Sequence, residues 1–269
     1  MTLWAVAGSL LGGVVALVLF APANWLASAL AGASDGRLLL ADARGTVWDG
    51  SARLVLTGGP GSRDASTLPG RLDWRLGLDG AALGLRARQA CCIDGELHLR
   101  LVPGFARLRI ELPAPAARRP GAAPPVLGSW PASWLVGLGT PWNTLQPSGA
   151  MQLSSPGMAL ELVAGRWRFS GHAVLELRGI ASRVSTLAEL GSYRIDLQGD
   201  AGATATLALV TLRGALQLAG SGQLLGSGAA STLRFTGQAS AAPGSEGALG
   251  GLLNIIGQRR GALSVISIG

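Results

Sequence analysis

From Arg37 to the C terminus, leucine recurs at every second position, and glycine stands at the joints. In Arg71-Leu72-Asp73-Trp74-Arg75-Leu76 the apolar residues take the even positions. Glu96-Leu97-His98-Leu99-Arg100-Leu101 places them on odd ones, and Arg107-Leu108-Arg109-Ile110-Glu111-Leu112 on even ones again. A period of two describes strands with one buried face and one wet face. It also favours antiparallel pairing, because parallel strands covered on both sides read as continuous apolar runs. A phrase recurs at Gly70–Trp74, Gly95–Leu99, Gly149–Leu153 and Gly214–Leu218: glycine, any residue, large apolar, polar, large apolar or aromatic. Its glycine is expected at a turn or bulge that opens each strand. The spacing is too irregular for a propeller or a solenoid of fixed period. The fold class expected is all-β: curved, mostly antiparallel sheet or sheets with few short helices.

One stretch breaks the pattern. Residues 113–131, PAPAARRPGAAPPVLGSWP, contain six prolines, which central strands exclude. It reads as a linker or long loop between a first β region, 31–112, and a second, 132–269. One continuous sheet and two separate sheets both satisfy the pattern. Residues 132–138 suit a short helical turn. In 246–257, EGALGGLLNIIG, Leu249, Leu252, Leu253 and Ile256 share one helical stripe. Ser245 is a candidate cap, Glu246 suits the positive helix end, and Gly257 is placed to stop the helix. A last strand spans Leu263–Ile268.

The N-terminal region reads differently. Residues 3–20, LWAVAGSLLGGVVALVLF, contain no charged side chain. A helix of that length rises about 27 Å, close to the roughly 30 Å of bilayer hydrocarbon. Trp4 and Trp25 flank it, where amphipathic rings favour the headgroup region, and Pro22 is a natural place to end or kink it. Residues 1–30 are therefore expected to form a transmembrane anchor, with 22–31 extending its helix. The alternative is a cleaved signal peptide, with Ala27-Ser28-Ala29 or Ala31-Gly32-Ala33 as cleavage sites. Against it stand the absence of a basic start and the length of the apolar run. The first basic side chain is Arg37, so charge counting does not itself place the long domain outside. Gly8, Gly12 and Ala16 share one face at a four-residue spacing that lets two membrane helices approach closely. Composition is the competing explanation, since the chain holds 41 glycines.

Net charge is +7, and all 22 basic residues are arginine. The arginines stand mostly alone on the polar faces of strands; only Arg118-Arg119 and Arg259-Arg260 are adjacent. Nucleic-acid binding wants clustered basic residues with aromatics between them, so no nucleic-acid partner is expected. A solvated face is the first reading, and affinity for anionic lipid headgroups the second. Cys91 and Cys92 are neighbours and in a strand would point to opposite faces. They read as a vicinal disulfide, as a pair bonding between chains, or as two small buried hydrophobes.

Lysine is absent, which removes the phosphate-loop motif, Schiff-base chemistry and the Ser-Lys dyad. There is no GxSxG elbow. His98 and His172 occupy polar strand positions, and Cys91, Cys92 and His98 match no standard zinc spacing. No enzymatic activity, metal or cofactor is expected, and a binding or scaffolding role is the default.

Four phrases carry more information. They are Gly45-Thr-Val-Trp48-Asp-Gly50, Leu138-Gly-Thr-Pro-Trp142-Asn-Thr-Leu145, Leu190-Gly-Ser-Tyr193-Arg-Ile-Asp-Leu197, and Leu253-Asn-Ile-Ile-Gly257-Gln-Arg-Arg-Gly261 with its closing strand. In order and spacing, with the N-terminal apolar run, they resemble the type II secretion system protein N family (GspN). The resemblance implies a single-pass inner-membrane protein of a Gram-negative bacterium with a large periplasmic domain. It implies a non-enzymatic part of the machine that exports folded proteins across the outer membrane. Its partners would be other platform subunits of that machine, with homo-oligomers also conceivable. Such proteins usually carry a basic cytoplasmic stub, and this chain begins MTLW. Trp48, Trp74, Trp142 and Trp167 read as core anchors. Tyr193 is expected to bond back to a loop carbonyl, and Arg259-Arg260 to favour the negative end of the preceding helix. The leucine stripes fit a dry core or an apolar groove, and the groove gives the alternative function: a lipid-binding or lipid-transfer protein of the envelope on a curved sheet.

Overall fold

The computed structural model describes residues 2–114, 123–163, 165–200, Gly202, 204–227 and 230–269. Side chains at 2–7, Leu10, 226–227 and 230–231 lie outside that description. So do Trp4 and Arg118-Arg119, which figured in the sequence reading.

The chain opens with helix α1 (Thr2–Leu19) and, after Pro22, helix α2 (Ala23–Ala33). Pro22 has extended backbone angles, so the helix expected to continue through 22–31 is instead a separate one, Ala23–Ala33. Strands follow: β1 (Leu38–Gly45), β2 (Asp49–Thr57), β3 (Ala65–Thr67), β4 (Leu72–Asp79), β5 (Ala82–Arg88), β6 (Leu97–Gly104), β7 (Arg107–Leu112) and β8 (Val126–Pro131). A 3-10 helix (Ala132–Leu138) and the short α3 (Trp142–Leu145) lead to β9 (Pro147–Val163), β10 (Arg166–Ser182), β11 (Gly191–Asp200), β12 (Thr204–Gly214), β13 (Leu216–Ser227) and β14 (Ala230–Ala241). Helix α4 (Glu246–Ile256), β15 (Gln258–Arg260) and β16 (Leu263–Ile268) finish the chain.

Among the described residues, all 16 strands join one open, antiparallel sheet in the order β1-β2-β4-β5-β6-β7-β9-β10-β11-β12-β13-β14-β16-β15, with β3 beside β2 and β8 beside β9. The proline-rich stretch leads out of β7 and returns through β8 to the same sheet. β7 pairs with residues 158–163 of β9, and β8 with residues 150–154. The opening glycines of the recurrent phrase, Gly70, Gly95, Gly149 and Gly214, all have positive φ, the backbone that glycine tolerates best.

The sheet curls. β10 brings Cα atoms within 8 Å of β13 and β14. These lie three and four strands away, about 14 and 19 Å in a flat sheet at about 4.8 Å per strand. Leu177 of β10, Leu209 of β12, Leu218 of β13 and Ile266 of β16 pack against the same core, so their face is the inside of the curl. That core holds Leu190, Tyr193, Leu216 and Ala239 together with Leu249, Leu252 and Leu253 of α4. A second core joins Ala23 of α2 to Leu40, Ala52 and Trp74.

α4 lies where its stripe predicts, but Ser245 makes no side-chain cap bond. Gly257 follows the helix with extended backbone, and a Cβ there would sit 2.5 Å from the Val265 carbonyl oxygen. Its requirement is closeness, not a left-handed turn. Arg259 and Arg260 belong to β15 and are exposed, which replaces the expected helix-end role. Among the described residues no helix is long and apolar enough to cross a membrane. The transmembrane helix expected at residues 3–20 coincides with α1, of whose side chains only those of Gly8, Ser9 and the residues from Leu11 onward belong to the described set.

Candidate functional site

The sheet has two chemically opposite faces. Ladder register carries one transverse row across six strands: Leu78 faces Leu83, Leu83 faces Leu101, Leu101 faces Ile110, Ile110 faces Leu160, and Leu160 faces Phe169. A second row runs Leu153, Leu175, Ile195 and Leu209, then reaches Ile266 past Gly220 and Gly237. The Phe235 ring fills the space beside those two glycines, where a Cβ would meet it at 2.5 and 2.8 Å. The hydroxyls on this apolar face are satisfied by carbonyls: Tyr193 donates to Leu216, Thr211 to Leu218 and Ser264 to Leu253.

The opposite face is ionic. Arg100 contacts Asp79 at 2.8 Å, Arg75 contacts Asp49 at 3.2 Å, and Glu96 pairs with Arg88 and with His98. Asp196 accepts from Arg194 and lies 3.2 Å from His172. The Arg194 guanidinium, and then His172, hold the Asp196 carboxyl below the ordinary aspartate range. Arg71 and Arg44 do the same for Asp42. At least one partner of each pair is exposed, so solvent screens them and the face reads as solvated.

Cover on the apolar face is uneven. α2 packs chiefly on β1, and α4 on β14 and β16. Between them Leu83, Leu99, Leu101, Leu108 and Ile110 remain partly exposed. Leu78 is 87% exposed, and Phe105, at the two-residue β6–β7 turn, is fully exposed.

That outer rim also receives the N-terminal helix. The Trp48 indole donates to the Val18 carbonyl at 2.7 Å, and the Val47 amide to Ala21 at 2.8 Å. The Val47 carbonyl accepts from the Trp74 indole, and the Trp48 carbonyl from the Leu76 amide. The β1–β2 turn is thus bonded on one side to the end of α1 and on the other to β4. β4 continues past it to Leu78.

The four phrases are corners of this architecture. Gly50 leaves room for the Trp74 ring, which a Cβ would meet at 2.5 Å. In the second phrase Asn143 donates to Asp64 across 79 residues, while the Leu145 carbonyl accepts from Ser182. In the third, Gly191 admits the Tyr193 hydroxyl at a bulge, and that phenol reaches the Leu216 carbonyl at 3.1 Å. In the fourth, Ser264 ties the closing strand back to Leu253. A family model described as Type II secretion system (T2SS), protein N, matches residues 36–265. The chain belongs to that family. It is therefore a component of type II secretion. No curated protein and no solved structure matches it. Family membership settles the setting and leaves the working surface to be read from geometry.

The remaining sequence candidates are separate from that surface. Cys91 and Cys92 are bonded to each other in the β5–β6 loop, with Cys91 exposed and Cys92 buried. The loop docks on β8 through main-chain bonds: Ser129 amide to Cys92 carbonyl at 2.8 Å and Asp94 amide to Leu127 carbonyl at 3.1 Å. Gly8 and Gly12 have nothing within 4 Å of a built Cβ, and Ala16 is exposed. Among the described residues no group of His, Cys, Asp and Glu could hold a metal ion. Trp74 is a core anchor, as expected, whereas Trp48, Trp142 and Trp167 are only partly buried. Trp48 carries the largest departure: its polar end, which apolar patterning does not report, joins helix to sheet.

Proposed function

We propose that the chain is a single-pass inner-membrane subunit of the type II secretion machine, with α1 as anchor and the sheet in the periplasm. Family membership over residues 36–265 carries the assignment to the machine. The anchor reading is supported by α1 itself. Its described residues, Gly8, Ser9 and 11–20, are exposed around the whole helix, with Leu11 at 68% and Phe20 at 75%. A helix that is apolar all round needs protein or lipid about it. α2 argues against signal cleavage within Ala27–Ala33. A cut there would detach Ala23, only 1% exposed, and Leu26 from the core they form with Leu40 and Trp74. Gly8, Gly12 and Ala16 offer the face on which a platform subunit's helix, or a second copy, packs. The chain acts by contact and not by catalysis.

The test joins topology with secretion. A periplasm-active reporter fused after Gly269 should be active, the full-length chain should resist alkaline extraction, and platform subunits should co-purify with it. An inactive reporter, or normal secretion after gene deletion with only unrelated proteins recovered, defeats the reading.

A further inference from the structure

We propose that the uncovered middle of the apolar face, over β4 to β7 and the distal part of β9, binds acyl chains of phospholipid drawn from the bilayer that holds α1. The route runs over the rim of Leu78 and Phe105. The inference rests on the anchor reading above and deepens it with a ligand class.

Polarity selects the occupant. The row from Leu78 to Phe169 spans six strands, about 24 Å at about 4.8 Å per strand, and its side chains offer no donor or acceptor. The main chain beneath it is engaged in ladder bonds. A peptide lying on that row would bury its own amides without partners, a cost hydrocarbon does not incur. Exposed apolar patches of this extent mark interaction surfaces.

Position supplies the source. The rim that carries Leu78 and Phe105 is the end of the strands at which Trp48 and Val47 hold the end of α1. Phe20, 75% exposed, and Trp25, 51% exposed, lie just beyond. Exposed apolar side chains therefore stand at one end of the sheet both on the helical segment and on the open row. Helix α2 is committed to β1, α4 to β14 and β16, and the 3-10 helix to β2, β3 and the part of β9 that it reaches. Residues 115–122, PAARRPGA, lie outside the described residues.

The experiment uses the full-length chain in native membranes with phosphate-labelled phospholipid. A photoreactive phenylalanine analogue is placed at Leu83, Leu101 or Ile110 on the apolar face, and at Arg86, Arg100 or Glu111 on the ionic face. Labelled lipid adducts are expected at the first three positions and not at the second three. Adducts to another protein or to a second copy at Leu83 or Leu101 overturn the proposal, because the occupant is then protein. Absence of adducts in a chain that stays membrane-bound on alkaline extraction also overturns it and leaves the anchor standing. Acyl adducts in a chain that washes off the membrane support the binding face and refute the anchor. A Leu101→Glu variant that keeps the protease-resistant body but loses adducts at Ile110 separates lipid binding from misfolding.

Discussion

Tyr193 is the chain's single tyrosine, and there is no lysine. Between about pH 9 and pH 12 it is therefore the one side chain expected to titrate, once Cys91 and Cys92 are bonded to each other. Burial, and secondarily the negative charge of Glu189, push its phenol well above the ordinary value near 10. The unfolded chain ionises Tyr193 at about pH 10, whereas the folded chain keeps the proton. Stability is thus intact below pH 10 and falls as pH rises above it, at about 1.4 kcal/mol per unit until the folded phenol also ionises. Tyr193→Phe should abolish that alkaline slope. At neutral pH it should cost about 1 kcal/mol, because the Leu216 carbonyl loses its 3.1 Å donor while the ring stays in place. Tyrosinate absorbance followed against pH, beside far-ultraviolet circular dichroism, reads both quantities. Tyrosinate appearing near pH 10 with the fold intact would refute the reasoning, as would an unchanged alkaline slope in the variant.

Trp48→Phe removes the indole bond to Val18 and should loosen the helix–sheet junction by about 1 kcal/mol, seen as faster amide exchange at residues 20–24; unchanged exchange refutes the tie. Gly257→Ala drives a methyl against the Val265 carbonyl and should cost about 1–3 kcal/mol in a denaturant titration. Gly251→Ala has nothing within 4 Å, lies inside α4, and should stabilise by up to about 1 kcal/mol. Asp196→Asn should remove a small contribution that is present at neutral pH, under about 1 kcal/mol for a partly exposed pair. A carboxyl depressed by Arg194 adds stability above its unfolded value near 3.8 and loses it as pH falls through the folded value, so the difference from wild type should vanish in acid. Reduction of Cys91–Cys92 should cost only about 1 kcal/mol by chain entropy, since adjacent residues close the smallest loop; unfolding on reduction would contradict this.

What was legible in the sequence is what local pattern encodes. Leu72, Trp74 and Leu76 alternate because one side of β4 meets the apolar face and the other meets water. Gly70, Gly95 and Gly214 marked strand ends, and Gly149 a bulge inside β9, because glycine adopts those angles cheaply. Leu249, Leu252 and Leu253 announced α4 through their period. What was hidden depends on partners far along the chain. Nothing near Leu112 says that β7 pairs with residues 158–163, so one sheet and two sheets read alike. Arg259 and Arg260 follow a helix in sequence, but Ser264 and Leu263 pair with them and make them a strand. The Trp48 indole reaches back 30 residues, and no periodicity records a side-chain donor.

The four phrases and the working surface carry different kinds of information. A corner such as Gly45–Gly50 demands particular residues. Gly50 must clear the Trp74 ring, and Trp48 must present a donor to Val18. The row from Leu78 to Phe169 demands only that each residue be apolar, because its partner is recognised by the absence of polar groups. Leucine, isoleucine and phenylalanine already substitute for one another along that row. Residue identity therefore locates the family at the corners of the sheet, while the face that meets a ligand is visible only when ladder register sums many alternating strands. An acidic residue at Leu101 tests this separation directly: it leaves every corner intact and should remove function through the face alone. Full secretion by a stably folded Leu101→Glu chain would place the function at the corners instead.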